Sequence, residues 1–323
     1  MKEKLEAAAK AGFKGIEVFY MCLEAFSFTL PGENPRDKLR EAARQTKSLA
    51  DGLGLTIFVL QPILNYDGIV DHKEHSERIE ELVFRFELCK LLGTDMMQIP
   101  ANFRLDDGVT GDEAKVVSDL RELADLGAKE SPPIRFVYEA MLWSTTNFTW
   151  QHGWNIVQKV DRPNFGAVLD AFHIAGYEYA DPTVPGGVRP DGEERLVSSL
   201  KELVRTIPGE RVFYIQLVDA ERLEVPLAPL DSEEGSLSPY YTKGQQPGMS
   251  WSRNCRLFPY ETERGAYMPI EQVCKAFIET GFKGWVSFEL FNRFMSIPNA
   301  NIPVEHADRG WKSWKTLEKN LEL

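Results

Sequence analysis

Two hydrophobic periods alternate along this chain. Longer stretches carry apolar residues three and four apart, as a helix with one buried face requires, and short continuous apolar runs between them read as strands buried on both faces. Helices are expected over 2–11, 35–53, 72–92, 110–128, 148–160, 193–205, 269–280 and 304–320. Strands are expected over 16–20, 56–60, 96–99, 134–140, 165–170, 212–220 and 285–291. Strands that alternate with helices of this length pair in parallel through right-handed crossovers, which makes the fold class α/β. The turn Gly12-Phe13-Lys14-Gly15 recurs as Gly281-Phe282-Lys283-Gly284, so the same helix-to-strand junction is expected near both ends.

The pattern yields seven strands and opens on a helix, whereas an eightfold βα barrel opens on a strand. The expectation is therefore one (β/α)8 TIM barrel domain over 1–323, lacking its first strand. No linker divides it. The longest irregular stretch, 221–268, holds Pro226, Pro229, Pro239 and Pro247 and ends in the aromatic, basic run Met249–Arg256. Loops of that length inside a compact domain are usually functional, and this one is expected to lie over the C-terminal mouth of the barrel.

Candidate chemistry sits where strands end. Glu139, Asp170, Gln216 and Glu289 each fall at the C-terminal end of an expected strand, and in a parallel barrel those ends converge on one mouth. Any one of them alone reads as a helix cap or a loop solvator. Four recurring in equivalent places read as an all-oxygen ligand set that suits Mg²⁺ or Mn²⁺ better than zinc or copper. Crowded carboxylates repel unless a cation or protons offset them. His173, three residues after Asp170, is the candidate general acid or base. His72, His75, His152 and His306 read as surface residues on helices. Arg253 and Arg256, with Asn254 between them, are placed to clamp a carboxylate, or else to form a salt-bridged loop. Trp143 follows Glu139 at loop spacing, as a pocket wall or as plain packing.

Composition narrows the function classes. A net charge of -12 repels phosphate backbones and anionic lipid, which counts against nucleic-acid and membrane partners. Cys22, Cys89, Cys255 and Cys274 form no CxxC pair, so neither a disulfide framework nor a thiolate zinc site is suggested. No run approaches the ~20 apolar residues of a membrane span, and the N-terminus has no signal-like apolar region. The expected compartment is the cytoplasm. No GxGxxG after a strand, Walker motif, GxSxG elbow or HExxH is present, which disfavours nucleotide hydrolysis, Rossmann redox chemistry and serine hydrolysis.

At these residues the sequence resembles the 3-dehydroshikimate dehydratases of fungal quinate catabolism and their bacterial relatives, which are xylose isomerase-like TIM barrels. The resemblance runs through Gln61-Pro62 with Tyr66-Asp67-Gly68, Gln98–Asn102, Pro133–Glu139 with Trp143-Ser144, and Val160–Gly166. It continues through Leu169-Asp170, Tyr214–Gln216 with Val218–Glu221, Met249–Phe258 and Gly284–Arg293. It covers nearly the whole chain, and Gln216 stands where wider barrel relatives commonly carry His. The resemblance implies a divalent metal on Glu139, Asp170, Gln216 and Glu289, and proton transfer by His173. It also implies a cyclic hydroxy-keto acid as the small-molecule substrate, with Gln61, Asn102, Trp143, Arg253, Asn254 and Arg256 around it. The expected reaction is loss of water to give protocatechuate. The alternatives are a metal-dependent sugar isomerase or epimerase of the same fold, and an inactive truncated barrel. An abasic-site endonuclease shares the fold but is opposed by the acidic balance. Whether the chain forms a homo-oligomer stays open.

Overall fold

The computed structural model of the protein describes residues 1–232, 235–297, 299 and 301–323, so 233 and 234 of the expected long loop lie outside the described residues. The chain forms two compact units, one from 1–139 with 152–167 and the other from 140–151 with 168–323.

The first unit repeats helix and strand. Helix α1 (Lys2–Ala11) closes on Gly12 at φ 121, a value that favours glycine, and leads into β1 (Gly15–Phe19). Helix α2 (Tyr20–Phe28) follows β1 with no intervening turn. Helix α3 (Pro35–Gly52) begins where Asn34 Oδ1 accepts the Arg36 N–H at 2.9 Å, with proline at the first helical position where no donor is needed. Strand β2 (Thr56–Gln61), α4 (His72–Leu92), β3 (Met96–Pro100), α5 (Glu113–Ala128), β4 (Arg135–Glu139), α6 (Trp150–Val160) and β5 (Phe165–Asp170) complete the alternation. Strands β1 to β5 lie side by side in that order with parallel pairing. Their register sets Gln98 beside Val137 and Pro100 beside Glu139. Helix α5 comes so close to β4 that a Cβ on Gly127 would lie 2.4 Å from the Phe136 ring.

The second unit holds α7 (Ala171–Glu178), α8 (Gly192–Thr206), β6 (Val212–Gln216), β7 (Asp219–Ala220), α9 (Pro247–Cys255), β8 (Arg256–Leu257), α10 (Ile270–Glu279), β9 (Trp285–Ser287) and α11 (Ile302–Leu321). Strands β6 and β9 pair in parallel, with Gln216 beside Ser287. Strands β7 and β8 form a small antiparallel ladder, with Ala220 opposite Arg256. After α10, Gly281 takes φ 87, so the repeated Gly-Phe-Lys-Gly turn does build the same kind of junction at both ends of the chain.

Four sequence expectations need correction. The run 212–220 breaks after Gln216, and Asp219-Ala220 pairs with β8 instead. The stretch 221–268 is not all irregular: Pro247 starts α9, which is buried from Gly248 to Ser252 and again at Cys255, with Arg253 exposed. The strand after Gly284 ends at Ser287, short of Glu289. Helices α2 and α7 were not expected, because each follows a strand without the Gly, Pro or Asn that marks a turn. Among the described residues, no helix is long and apolar enough to cross a membrane.

Candidate active site

In the second unit, two expected ligands meet on a single guanidinium. Asp170 closes β5, and its side chain caps α7: Oδ1 accepts the Phe172 N–H at 2.7 Å. Its other oxygen, Oδ2, accepts from Arg256 Nη1 at 2.9 Å. Glu289 Oε2 accepts from the same Nη1 at 3.0 Å, and the Glu289 carbonyl lies 3.2 Å from it. Arg256 Nε donates to Ser252 Oγ at 2.9 Å, and the guanidinium lies over the Phe172 ring, 4.4 Å from its centroid. At 1% exposure the arginine is fully inside the protein. The helix cap and the contact with Arg256 thus use different oxygens of one carboxylate.

His173 stands on the first turn of α7, beside the same guanidinium. Its Nε2 is 3.5 Å from Asp170 Oδ2 and 3.4 Å from Arg256 Nη2. Its Nδ1 accepts the Leu142 N–H at 3.2 Å, so a neutral ring carries its proton on Nε2. Burial pushes its pKa down to about 3, with Asp170 opposing the fall and Arg256 adding to it, so the ring is neutral at pH 7. Trp143 packs edge-on against it, with ring centroids 4.7 Å apart.

Gln216 ends β6 with no exposed surface. Arg253 and Asn254 turn elsewhere. Arg253 is exposed and donates to Gln245 Oε1 at 3.2 Å, while Asn254 Nδ2 donates back to the Ser250 carbonyl at 2.8 Å.

In the first unit, Glu139 ends β4, buried to 4% exposure. Its Oε2 accepts from Gln98 Nε2 at 2.8 Å. Gln61 Nε2 donates to Glu17 Oε2 at 2.9 Å, a second carboxylate held by a neutral amide. Asn102 acts as a loop brace: its Nδ2 donates to the Asp67 carbonyl at 2.8 Å and its Oδ1 accepts the Arg104 N–H at 3.0 Å. Asp67 itself is buried, and burial raises its carboxyl to about 6 although the Tyr138 hydroxyl donates to Oδ2 at 2.8 Å.

Residue-level reading of the sequence assigns no role to Gln98 or Glu17, and takes Asp219 only as a polar group where a strand leaves the core. For Gln98 a signal was present: an amide inside the run Met96–Pro100 belongs on the face it shares with Pro100, and Pro100 sits beside Glu139. Asp219 stands in β7, past the end of β6. Its Oδ1 accepts the backbone N–H groups of Ala220, Tyr267 and Met268 at 2.7, 3.1 and 2.9 Å, and burial still raises its carboxyl to about 7.

Residues 5–312 match the family model of the xylose isomerase-like TIM barrels. The chain is 45% identical over 330 residues to a 3-dehydroshikimate dehydratase of Neurospora crassa, covering all of this chain and 90% of that one. It is 28% identical over 324 residues to a 3-dehydroshikimate dehydratase of Pseudomonas putida, of which it spans 40%. Among solved structures, a xylose isomerase-like TIM barrel/4-hydroxyphenylpyruvate dioxygenase fusion protein superposes with a TM-score of 0.73 at 27% identity, over 99% of this chain and 41% of that one.

Proposed function

The chain belongs to the 3-dehydroshikimate dehydratases of the xylose isomerase-like TIM barrel family, and on that premise we propose that it is a metal-dependent hydro-lyase converting 3-dehydroshikimate to protocatechuate and water. The observation that carries the reading is the gathering of Asp170, His173 and Glu289 round one buried guanidinium, at places where the sequence already called for ligands and an acid–base group.

Glu139, Asp170 and His173 are each buried, and each offers a ligand atom. With Gln216 and Glu289 the proposed ligand set, Glu139, Asp170, Gln216 and Glu289, is all oxygen, which fits Mg²⁺ or Mn²⁺. When bound there, the ion supplies Lewis-acid stabilisation of the negative charge that develops on the ketone oxygen.

The chain's own residues do the rest. His173 relays one proton: as base the ring takes the proton from the carbon beside the ketone, and as the resulting imidazolium it passes a proton from Nε2 to the departing hydroxyl. The ring is therefore neutral before and after, and one water leaves. Asp170 orients that nitrogen from 3.5 Å. Arg253 is the exposed guanidinium and Arg256 the buried one in the proposed substrate set, which Asn254, Trp143, Asn102 and Gln61 complete. Fixing the ring through its carboxylate removes orientational freedom before the proton moves. Aromatisation makes the overall step favourable. The cysteines are free thiols, which supports a reducing cytoplasm as the protein's location.

The test is direct. Purified protein with Mn²⁺ and 3-dehydroshikimate should generate the ultraviolet absorbance of the aromatic product, and a chelator should stop it. A panel of keto-sugars should give no product. Turnover of a keto-sugar with no turnover of dehydroshikimate would replace this reading by an isomerase.

A further inference from the structure

The guanidinium that joins Asp170 to Glu289 has a second consequence, which rests on the reading of both residues as metal ligands. A buried cation that donates to two carboxylates stands where a divalent ion would draw on the same charge. We propose that Arg256 is a positioning residue that serves as an internal counter-cation: it holds Asp170 and Glu289 in place while the metal is absent, and it opposes the metal's arrival.

The geometry supports both halves. A single nitrogen, Nη1, donates to Asp170 Oδ2 at 2.9 Å and to Glu289 Oε2 at 3.0 Å, so the two oxygens are drawn to one point. The arginine has no freedom to drift off. Ser252 Oγ accepts from Nε, the Phe172 ring lies beneath the guanidinium, and the backbone next to it is fixed by the β7–β8 ladder and by the Arg256 N–H donating to the Phe291 carbonyl at 3.1 Å. Two carboxylates brought this close inside a protein repel strongly without a cation between them. A positive charge already placed there lowers the gain on adding a second, so the two cations are coupled against each other. Arginine suits the task better than lysine because its planar fork donates in fixed directions and stays charged when buried.

The test uses the full-length protein and Mn²⁺ alone, without substrate. Arg256→Gln removes the charge and keeps a polar side chain. Its metal-free melting temperature should fall by roughly 5–10 °C, and saturating Mn²⁺ should bring it back to within about 2 °C of loaded wild type. Its Mn²⁺ dissociation constant should tighten on the order of tenfold. Arg256→Lys, which keeps the charge, should melt close to wild type without metal. An equal loss of melting temperature in Arg256→Gln with and without Mn²⁺ would mean plain packing and would overturn the proposal. Unchanged or weaker Mn²⁺ binding would overturn it as well. If Arg256→Gln yields no folded protein in either condition, Arg256→Lys decides: Mn²⁺ affinity within about threefold of wild type supports a charge effect, and a larger change overturns it. A wild-type protein that takes up no Mn²⁺ defeats the proposed function, and the metal-free melting of the Gln and Lys variants still decides the role of Arg256.

Discussion

The two units hold their buried and half-buried carboxylates in different ways. In the first, Glu139 and Glu17 each accept from the amide of a glutamine, Gln98 and Gln61, a donor that brings a hydrogen bond and no charge of its own. In the second, Asp170 and Glu289 share the guanidinium of Arg256, which satisfies the oxygens and cancels charge together. Burial penalises an ionised carboxylate severely, and a neutral donor offsets only part of that cost whereas a buried cation offsets more. The difference teaches that Asp170 and Glu289 meet a cation supplied by the chain itself, whereas Gln98 and Gln61 offer their carboxylates a hydrogen bond alone. Asp219 shows a third solution, three backbone N–H groups on one oxygen, and it is too weak to keep the group ionised below about pH 7.

Glu289→Gln should break the comparison most severely. It keeps the shape and removes the charge that both Arg256 and the proposed metal require, so dehydratase turnover should fall about a thousandfold or more. Retained turnover in the purified variant would remove Glu289 from the site. Asp219 comes next, through pH. Its folded-state pKa is raised from 3.8 to about 7, so between those values the folded protein keeps a proton that the unfolded chain has lost. Its contribution to stability therefore falls as pH rises through that window, by about 4 kcal/mol at most, and is level above it. Asp219→Asn should abolish that dependence, so the wild-type-minus-variant difference in denaturant midpoint should decline from pH 4 to pH 8. A flat difference would mean that Asp219 is ionised throughout.

Gln98→Leu sharpens the contrast from the other side. It deprives Glu139 of a neutral donor, and Mn²⁺ affinity should weaken by roughly 10- to 100-fold in a calorimetric titration. Unchanged affinity would show that Gln98 does not position Glu139. Asn34→Ala should have the smallest effect. The lost cap of α3 should cost about 1 kcal/mol of stability in urea unfolding and leave Mn²⁺ affinity alone. A change in affinity would mean that stability of the first unit and ligand binding are not separable.

Much of this was legible in the sequence because parallel strands and their helices leave strong, different periods. The boundaries of α1, α4 and β5 follow directly from where those periods change. Helices α2 and α7 were hidden because they grow directly out of strands, and Tyr20–Phe28 is too apolar to show one polar face. Helix α9 was hidden because Pro, Gly, two Ser and Asn fall within its nine residues, which reads as a loop until Pro247 is recognised as a helix start. The ligand residues could be named from strand ends alone. Their partners could not: that Gln98 serves Glu139 depends on strand register, and that Arg256 serves Asp170 joins residues 86 positions apart. Spacing carries no information about such pairs.

One residue, Asp170, ends a strand, caps a helix and presents an oxygen to Arg256, while His173 rides three positions further along that helix. Their separation is therefore set by the pitch of a single coil rather than by any adjustable loop. Inserting or deleting one residue between them would swing the imidazole by about 100° around the axis. The pair can be inherited or lost as a block, but it cannot be tuned in small steps.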